Sequence, residues 1–216
     1  MADARYIPAM GYPALTGAYD LAVRLVTRER VWRKLLLDQL DPQDDEVILD
    51  VGCGTGTFAI MCKQRSPGAR IRGIDPDPDA LAIAAGKARR AGVEVDWVRG
   101  YAHDAAHYEG SVDKAVSSLL FHQVRSEDKE TGIAAMLKAV RPGGEIHIAD
   151  YCRQPDRLMR NLFRIIQSLD GHEMTQPNAD GMIERLLAGH AQAPVLPTSV
   201  IRTPTGAISL FALTKH

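Results

Sequence analysis

Three glycines at alternate positions, Gly52, Gly54 and Gly56, follow the run Val47-Ile48-Leu49-Asp50-Val51. That spacing lets a strand turn sharply and lets backbone come close to a ligand. A dinucleotide fingerprint needs its third glycine at position 57, where Thr57 stands, and a P-loop needs a lysine directly after the loop. Neither is present, so a ligand without phosphates fits best. Asp75 closes the run Ile71-Arg72-Gly73-Ile74, where an acid can accept hydrogen bonds from both hydroxyls of a ribose. Taken singly, the glycines could be a tight turn and Asp75 a helix cap beside Asp77 and Asp79. In this order on one sheet, they point to a bound nucleoside.

A second set lies further along. His122 sits in Leu119-Leu120-Phe121-His122-Gln123-Val124, just past an apolar run, and Asp150-Tyr151 ends another. Both fall at the carboxyl edge of a parallel sheet, where such folds bind ligands. His122 reads either as a general base or as a helix-start histidine bonded to backbone. Asp150 reads either as a substrate-orienting acid or as a cap. His103 and His107 flank Asp104 at helical ligand spacing, but no H-E-x-x-H or second carboxylate cluster accompanies them. A solvated turn is expected there, and no metal.

The elements that must position these residues alternate. Strands are predicted over 46–51, 69–74, 93–99, 112–118 and 145–150, with helices over 20–40, 58–65, 78–91 and 129–140. Arg141-Pro142-Gly143-Gly144 breaks the last of these helices. Helices over 157–170 and 180–190 follow, then two β-rich runs, 194–203 and 207–214, joined by the hairpin signal Thr203-Pro204-Thr205-Gly206. The expectation is an α/β Rossmann-like fold: a doubly wound, seven-stranded, mostly parallel sheet with an antiparallel C-terminal hairpin, an extra N-terminal helix and a cap helix.

One domain over 1–216 is expected, divided into an N-terminal helical cap (1–43), a cofactor-binding core (44–152), substrate-side helices (153–192) and a closing hairpin (193–216). The 216 residues are 45% hydrophobic and 25% charged, an ordinary globular composition. A formal net charge of -1 gives no electrostatic case for nucleic acid. Three cysteines without a C-x-x-C pair suggest neither a disulfide framework nor zinc, so a cytoplasmic setting is expected.

Four stretches carry a resemblance: Ile48 to Gly56, Gly73-Ile74-Asp75, Val112-Asp113-Lys114-Ala115-Val116-Ser117-Ser118, and Leu137 to Gly144. With the tail Thr205 to Leu210, they make the chain similar to the class I S-adenosylmethionine-dependent methyltransferases, in the group resembling ubiquinone/menaquinone C-methyltransferases. The resemblance implies that S-adenosylmethionine is the cofactor. It implies that Gly52, Cys53, Gly54 and Gly56 pass beside its methionine part, that Asp50 holds its amino group and that Asp75, with Pro76, meets the ribose. Ser117 and Tyr19 join the cofactor-binding set. Where the family often has Gly-Asp-Ala near the adenine, this chain has Gly100-Tyr101-Ala102, which leaves Tyr101, Ala102 or Asp104 to meet the base.

Such a cofactor brings an already activated methyl group, so the protein has mainly to align an acceptor and exclude water. A base is needed where the acceptor must lose a proton, and His122, Asp150 and Tyr151 are the candidates. No Asn-Pro-Pro-Tyr follows the fourth strand, which argues against amide and nucleobase amino acceptors. Tyr12, Tyr19, Asp20 and the arginines of the first helix face the acceptor side. The helix over 157–169 sets Arg157, Arg160 and Arg164 opposite Leu158, Leu162, Phe163, Ile165, Ile166 and Leu169. That face suggests either ordinary core packing or an apolar lid over a small hydrophobic acceptor (quinone-, lipid- or amine-like), with peripheral membrane contact. The alternative from another class is a cofactor-binding regulatory or assembly module without turnover.

Overall fold

The structure is a computed structural model and describes residues 28–216. Among these, seven strands form one sheet: β1 (Val47–Val51), β2 (Arg70–Asp75), β3 (Asp96–Arg99), β4 (Val112–Ser118), β5 (Val140–Tyr151), β6 (Ser199–Thr203) and β7 (Gly206–Thr214). Their order is β3-β2-β1-β4-β5-β7-β6. The first five pair in parallel, while β7 runs antiparallel between β5 and β6. The chain winds outward from β1 to β3 and then returns to β4 on the other side of β1. That reversal opens a crevice at the carboxyl ends of β1 and β4.

Alternation along the strands sorts two cores onto opposite faces of the sheet. Ile48, Ile71, Val116 and Tyr151 pack with Trp32 and Leu36 of α1 (Glu29–Leu40) and with Phe58 of α2 (Thr57–Arg65). Leu49, Val51, Ala115 and Ile148 pack with Ile133 and Met136 of α4 (Ser126–Ala139). Between β2 and β3 runs α3 (Pro78–Ala91). Its Asp77 side chain accepts from the amides of Asp79 and Ala80, and Gly92 ends it in a left-handed conformation.

The cap departs from expectation. In place of one helix over 157–170 there are two, α5 (Arg157–Leu162) and α6 (Arg164–Asp170), followed by an unforeseen α7 (His172–Ala179) and by α8 (Met182–Ala191). The break at Phe163 narrows the buried stripe to Met159, Phe163 and Ile166, and leaves Leu158, Ile165 and Leu169 exposed. The arginines are therefore not set against a single apolar face. Likewise β5 starts at Val140 rather than at Glu145, because Arg141-Pro142-Gly143-Gly144 shifts the register, from Val112 opposite Val140 to Lys114 opposite Glu145, and the pairing resumes beyond it. No helix among the described residues is long and apolar enough to cross a membrane.

Candidate active site

The glycine loop is tied down from below. The amides of Gly52 and Cys53 both donate to the Ile74 carbonyl, at 2.8 and 3.0 Å, and the Gly54 amide donates to Asp75 Oδ2 at 2.8 Å. Lys87 of α3 donates to the Thr55 hydroxyl at 2.6 Å, a strut that the sequence did not reveal. All three glycines have positive φ. A Cβ on Gly56 would lie 2.4 Å from the Trp97 ring, whereas one on Gly54 would meet nothing within 4 Å. Gly56 is fixed by packing. Gly54 leaves an open approach to backbone.

Beside the loop, Asp50 is 1% exposed and neither carboxylate oxygen completes a hydrogen bond, although the Ala59 amide lies close enough to favour its charge. Burial pushes it up to about 7; Arg33 of α1 pulls it down and the Asp75 charge adds to the rise. The Ser117 hydroxyl, at the end of β4, is equally buried and without a partner. Asp75 is raised by burial, with the Asp77 and Gly54 amides opposing the rise. Burial pushes the Cys53 thiol far up, which rules it out as a nucleophile near neutral pH.

The other expected cofactor residues are spread around this edge. The Pro76 carbonyl accepts from Arg99 at 3.3 Å. Tyr101 is exposed, and its ring stacks on His103 with centroids 5.6 Å apart. Asp104 turns back to accept from the Tyr101 amide at 2.8 Å and has His103 and His107 at 3.7 and 3.8 Å. Ala102 sits against α4, where a Cβ on Gly132 would approach it to 3.0 Å. Tyr19, with Tyr12 and Asp20, lies outside the described residues.

Across the crevice, β4 is followed by Leu119, a non-glycine residue with φ 52°, and the chain enters a 3-10 turn at Phe121–Gln123. Backbone strain of this kind gathers at sites where the surroundings force it. It sends Leu120 over Gly52 and sets His122 inward. The His122 Nδ1–H donates to Asp150 Oδ1 at 2.6 Å, and Nε2 lies 3.4 Å from Asp170 Oδ2. Asp150 also accepts from the amides of Phe121, at 2.6 Å, and Tyr151, at 2.7 Å. Burial lowers the imidazole, but Asp150 and Asp170 outweigh it and raise His122 to about 9. Tyr151 packs edge-on against His122, while its hydroxyl bonds Thr205 at 2.6 Å and is pushed by burial to about 12.

Sequence reasoning missed Asp170 and Lys129. The Lys129 side chain is buried, bonds the carbonyls of Val124 and Met174, and is lowered by burial to about 8. Its place on the apolar face of α4, three and four residues before Gly132 and Ile133, was a readable signal. Asp170 carried none. Surface hollows of about 360 and 460 Å³ lie around Val93 and Glu94; the first reaches Trp97, which backs Gly56, and neither is lined by Asp50, Asp75, His122 or Asp150.

A methyltransferase domain family matches residues 48–144. The demethylmenaquinone methyltransferase of Thermus thermophilus is 30% identical over 149 residues, 68% of this chain and 67% of that one. The chain belongs to the class I S-adenosylmethionine-dependent methyltransferases. Within them it falls in the ubiquinone/menaquinone C-methyltransferase-like group. The ubiquinone/menaquinone biosynthesis C-methyltransferase of Paracoccus denitrificans is 29% identical over 158 residues, and the match spans 70% of this chain but 62% of that relative. Among solved structures, geranyl diphosphate C-methyltransferase from Streptomyces coelicolor, held with S-adenosyl-L-homocysteine, shares the fold at a TM-score of 0.68 and 16% identity, over 96% of this chain and 85% of that one.

The donor set of this methyltransferase fits its cofactor, S-adenosylmethionine. That molecule carries an ammonium and a sulfonium, and a buried carboxylate without a partner is costly until a cation meets it. The open side of Gly54 leaves room beside it.

Proposed function

We propose that this methyltransferase acts on a small apolar acceptor related to the quinones in its relatives' names, taken in a reduced, hydroxyl-bearing form. The observation that carries the reading is the anchored imidazole. With Nδ1 locked on Asp150, the tautomer and tilt of His122 are set, and Nε2 is left as the nitrogen that can exchange partners. Asp50 would hold the ammonium of the cofactor, Asp75 its ribose, and the backbone at Gly54 its methionine part. Bound there, the cofactor supplies a methyl group on a sulfonium, whose C–S bond leaves its electron pair on sulfur.

The protein supplies the rest. His122 Nε2 takes the proton of the acceptor hydroxyl, which raises the electron density of the ring and readies a ring carbon for the methyl group that the bound cofactor would supply. The ring carbon must then shed its own proton, which leaves to solvent, and the imidazolium returns the hydroxyl proton to the ring oxygen. The cap helices exclude water, and positioning of this kind supplies roughly 7–11 kcal/mol of barrier lowering. Exposed Leu158, Ile165 and Leu169 offer an apolar entry for such a ring from a membrane surface.

The test is His122→Gln with the quinol form of demethylmenaquinone. Turnover is expected to fall by about 10²- to 10⁴-fold while cofactor affinity stays unchanged. Wild-type turnover by the variant would remove His122 from the chemistry.

A further inference from the structure

The two carboxylates on His122 are held very differently. Asp150 is completely buried and fixed by two backbone amides as well as by the imidazole. Asp170 is a quarter exposed, stands 3.4 Å away rather than 2.6 Å, and comes from the last residue of α6. Gly171 follows it with φ 88° and turns the chain into α7. Beyond that turn α7 is anchored, by Lys129 Nζ to the Met174 carbonyl at 2.8 Å and by Asn178 Nδ2 to the Tyr151 carbonyl at 2.8 Å. The chain is thus docked beyond the Gly171 turn, and Gln176 of α7 binds Arg160 and Gln167 across it at 2.6 and 2.9 Å, so Asp170 is held at the one exchangeable nitrogen of the imidazole.

We infer that Asp170 is a positioning residue that holds Nε2 of His122 in the free enzyme and yields that place to the hydroxyl of the acceptor. The inference rests on His122 acting as the base. The charged groups facing His122 are Asp150 from β5 and Asp170 from α6, beside the Tyr151 ring; Lys129 of α4 acts on Asp150, and the His172 and Glu173 of α7 face solvent. Both carboxylates favour imidazolium, so the free enzyme stores a charged ring. When the acceptor displaces Asp170, one of the two is removed, the Nε2 proton leaves to solvent, and the neutral ring takes up the hydroxyl proton. Acceptor binding then releases one proton and switches the base on.

Asp170→Asn tests this without changing shape. In the free protein, the NMR titration midpoint of His122 (assigned by its absence in His122→Gln) is expected to fall by about one unit or more, and Asp170→Glu to restore it. The acid limb of kcat/KM, which reports the free enzyme, is expected to move with it, while that of kcat at saturating demethylmenaquinol stays in place. An unmoved midpoint would overturn the contact, and equal shifts in kcat/KM and kcat would overturn the exchange. If instead His122→Gln turned over normally while the Asp170→Asn midpoint still fell, the base role would fail, and the exchange with it.

Discussion

The two sides of the crevice leave their polar atoms in opposite states. Around the glycine loop, Asp50 and Ser117 are buried without partners, whereas after β4 the Asp150 carboxylate is saturated and His122 is engaged at both nitrogens. A buried carboxylate with no donor is paid for by the rest of the fold and is relieved by a cation. A paired imidazole costs little until something competes for it. The cofactor side is therefore shaped for a charge that has yet to arrive, and the acceptor side for one that must be displaced.

Substitution at Asp50 should break this contrast most sharply. Asp50→Asn is expected to weaken S-adenosylmethionine binding by about 10- to 100-fold, the size of a hydrogen bond to a charged group, while raising the melting temperature of the ligand-free protein. Calorimetry beside a thermal melt reads both, and unchanged affinity would mean the ammonium is held elsewhere. The pH dependence comes next in size. Asp50 is raised to about 7, so the native state holds its proton more tightly than the unfolded chain. The stability it lends is present at low pH and is lost as pH climbs towards 7. Cofactor binding needs the ionised form, so affinity should weaken by up to about tenfold per unit below 7. A flat profile between pH 5.5 and 8, values chosen to straddle the Asp50 midpoint, would place its charge outside the binding step. The smallest effect is expected on the cap. Leu158→Ser and Ile165→Ser, at exposed positions, should change stability by less than about 0.5 kcal/mol and leave cofactor affinity alone. A loss several times larger would show that those side chains are covered.

The same contrast governs what the sequence discloses. On the cofactor side the chemistry is local in the chain: Asp50 and its glycines span seven residues, and Asp75 ends the very next strand. Continuous Ile- and Val-rich runs placed the strands, and Pro78 and Gly92 marked the ends of α3 where the structure has them. On the acceptor side His122, Asp150 and Asp170 come from three elements that meet only after the sheet closes. The helix break at Phe163 was hidden because its flanking residues, Leu162 and Arg164, are both sound helix formers and no glycine or proline stands near. The saturation of Asp150 by backbone amides was beyond any pattern, since it depends on how the strained Leu119 directs the chain.

The insertion of β7 between β5 and β6 bears on how the chain reaches this state. Residues 206–214 are made after the other described strands of the sheet, yet they pair with β5 along seven consecutive positions and with β6 along five. Until they arrive, β5 presents an open edge to any extended segment nearby. The glycine loop and its neighbours can assemble early from contacts close in sequence, whereas the floor beneath Asp150 waits on β7.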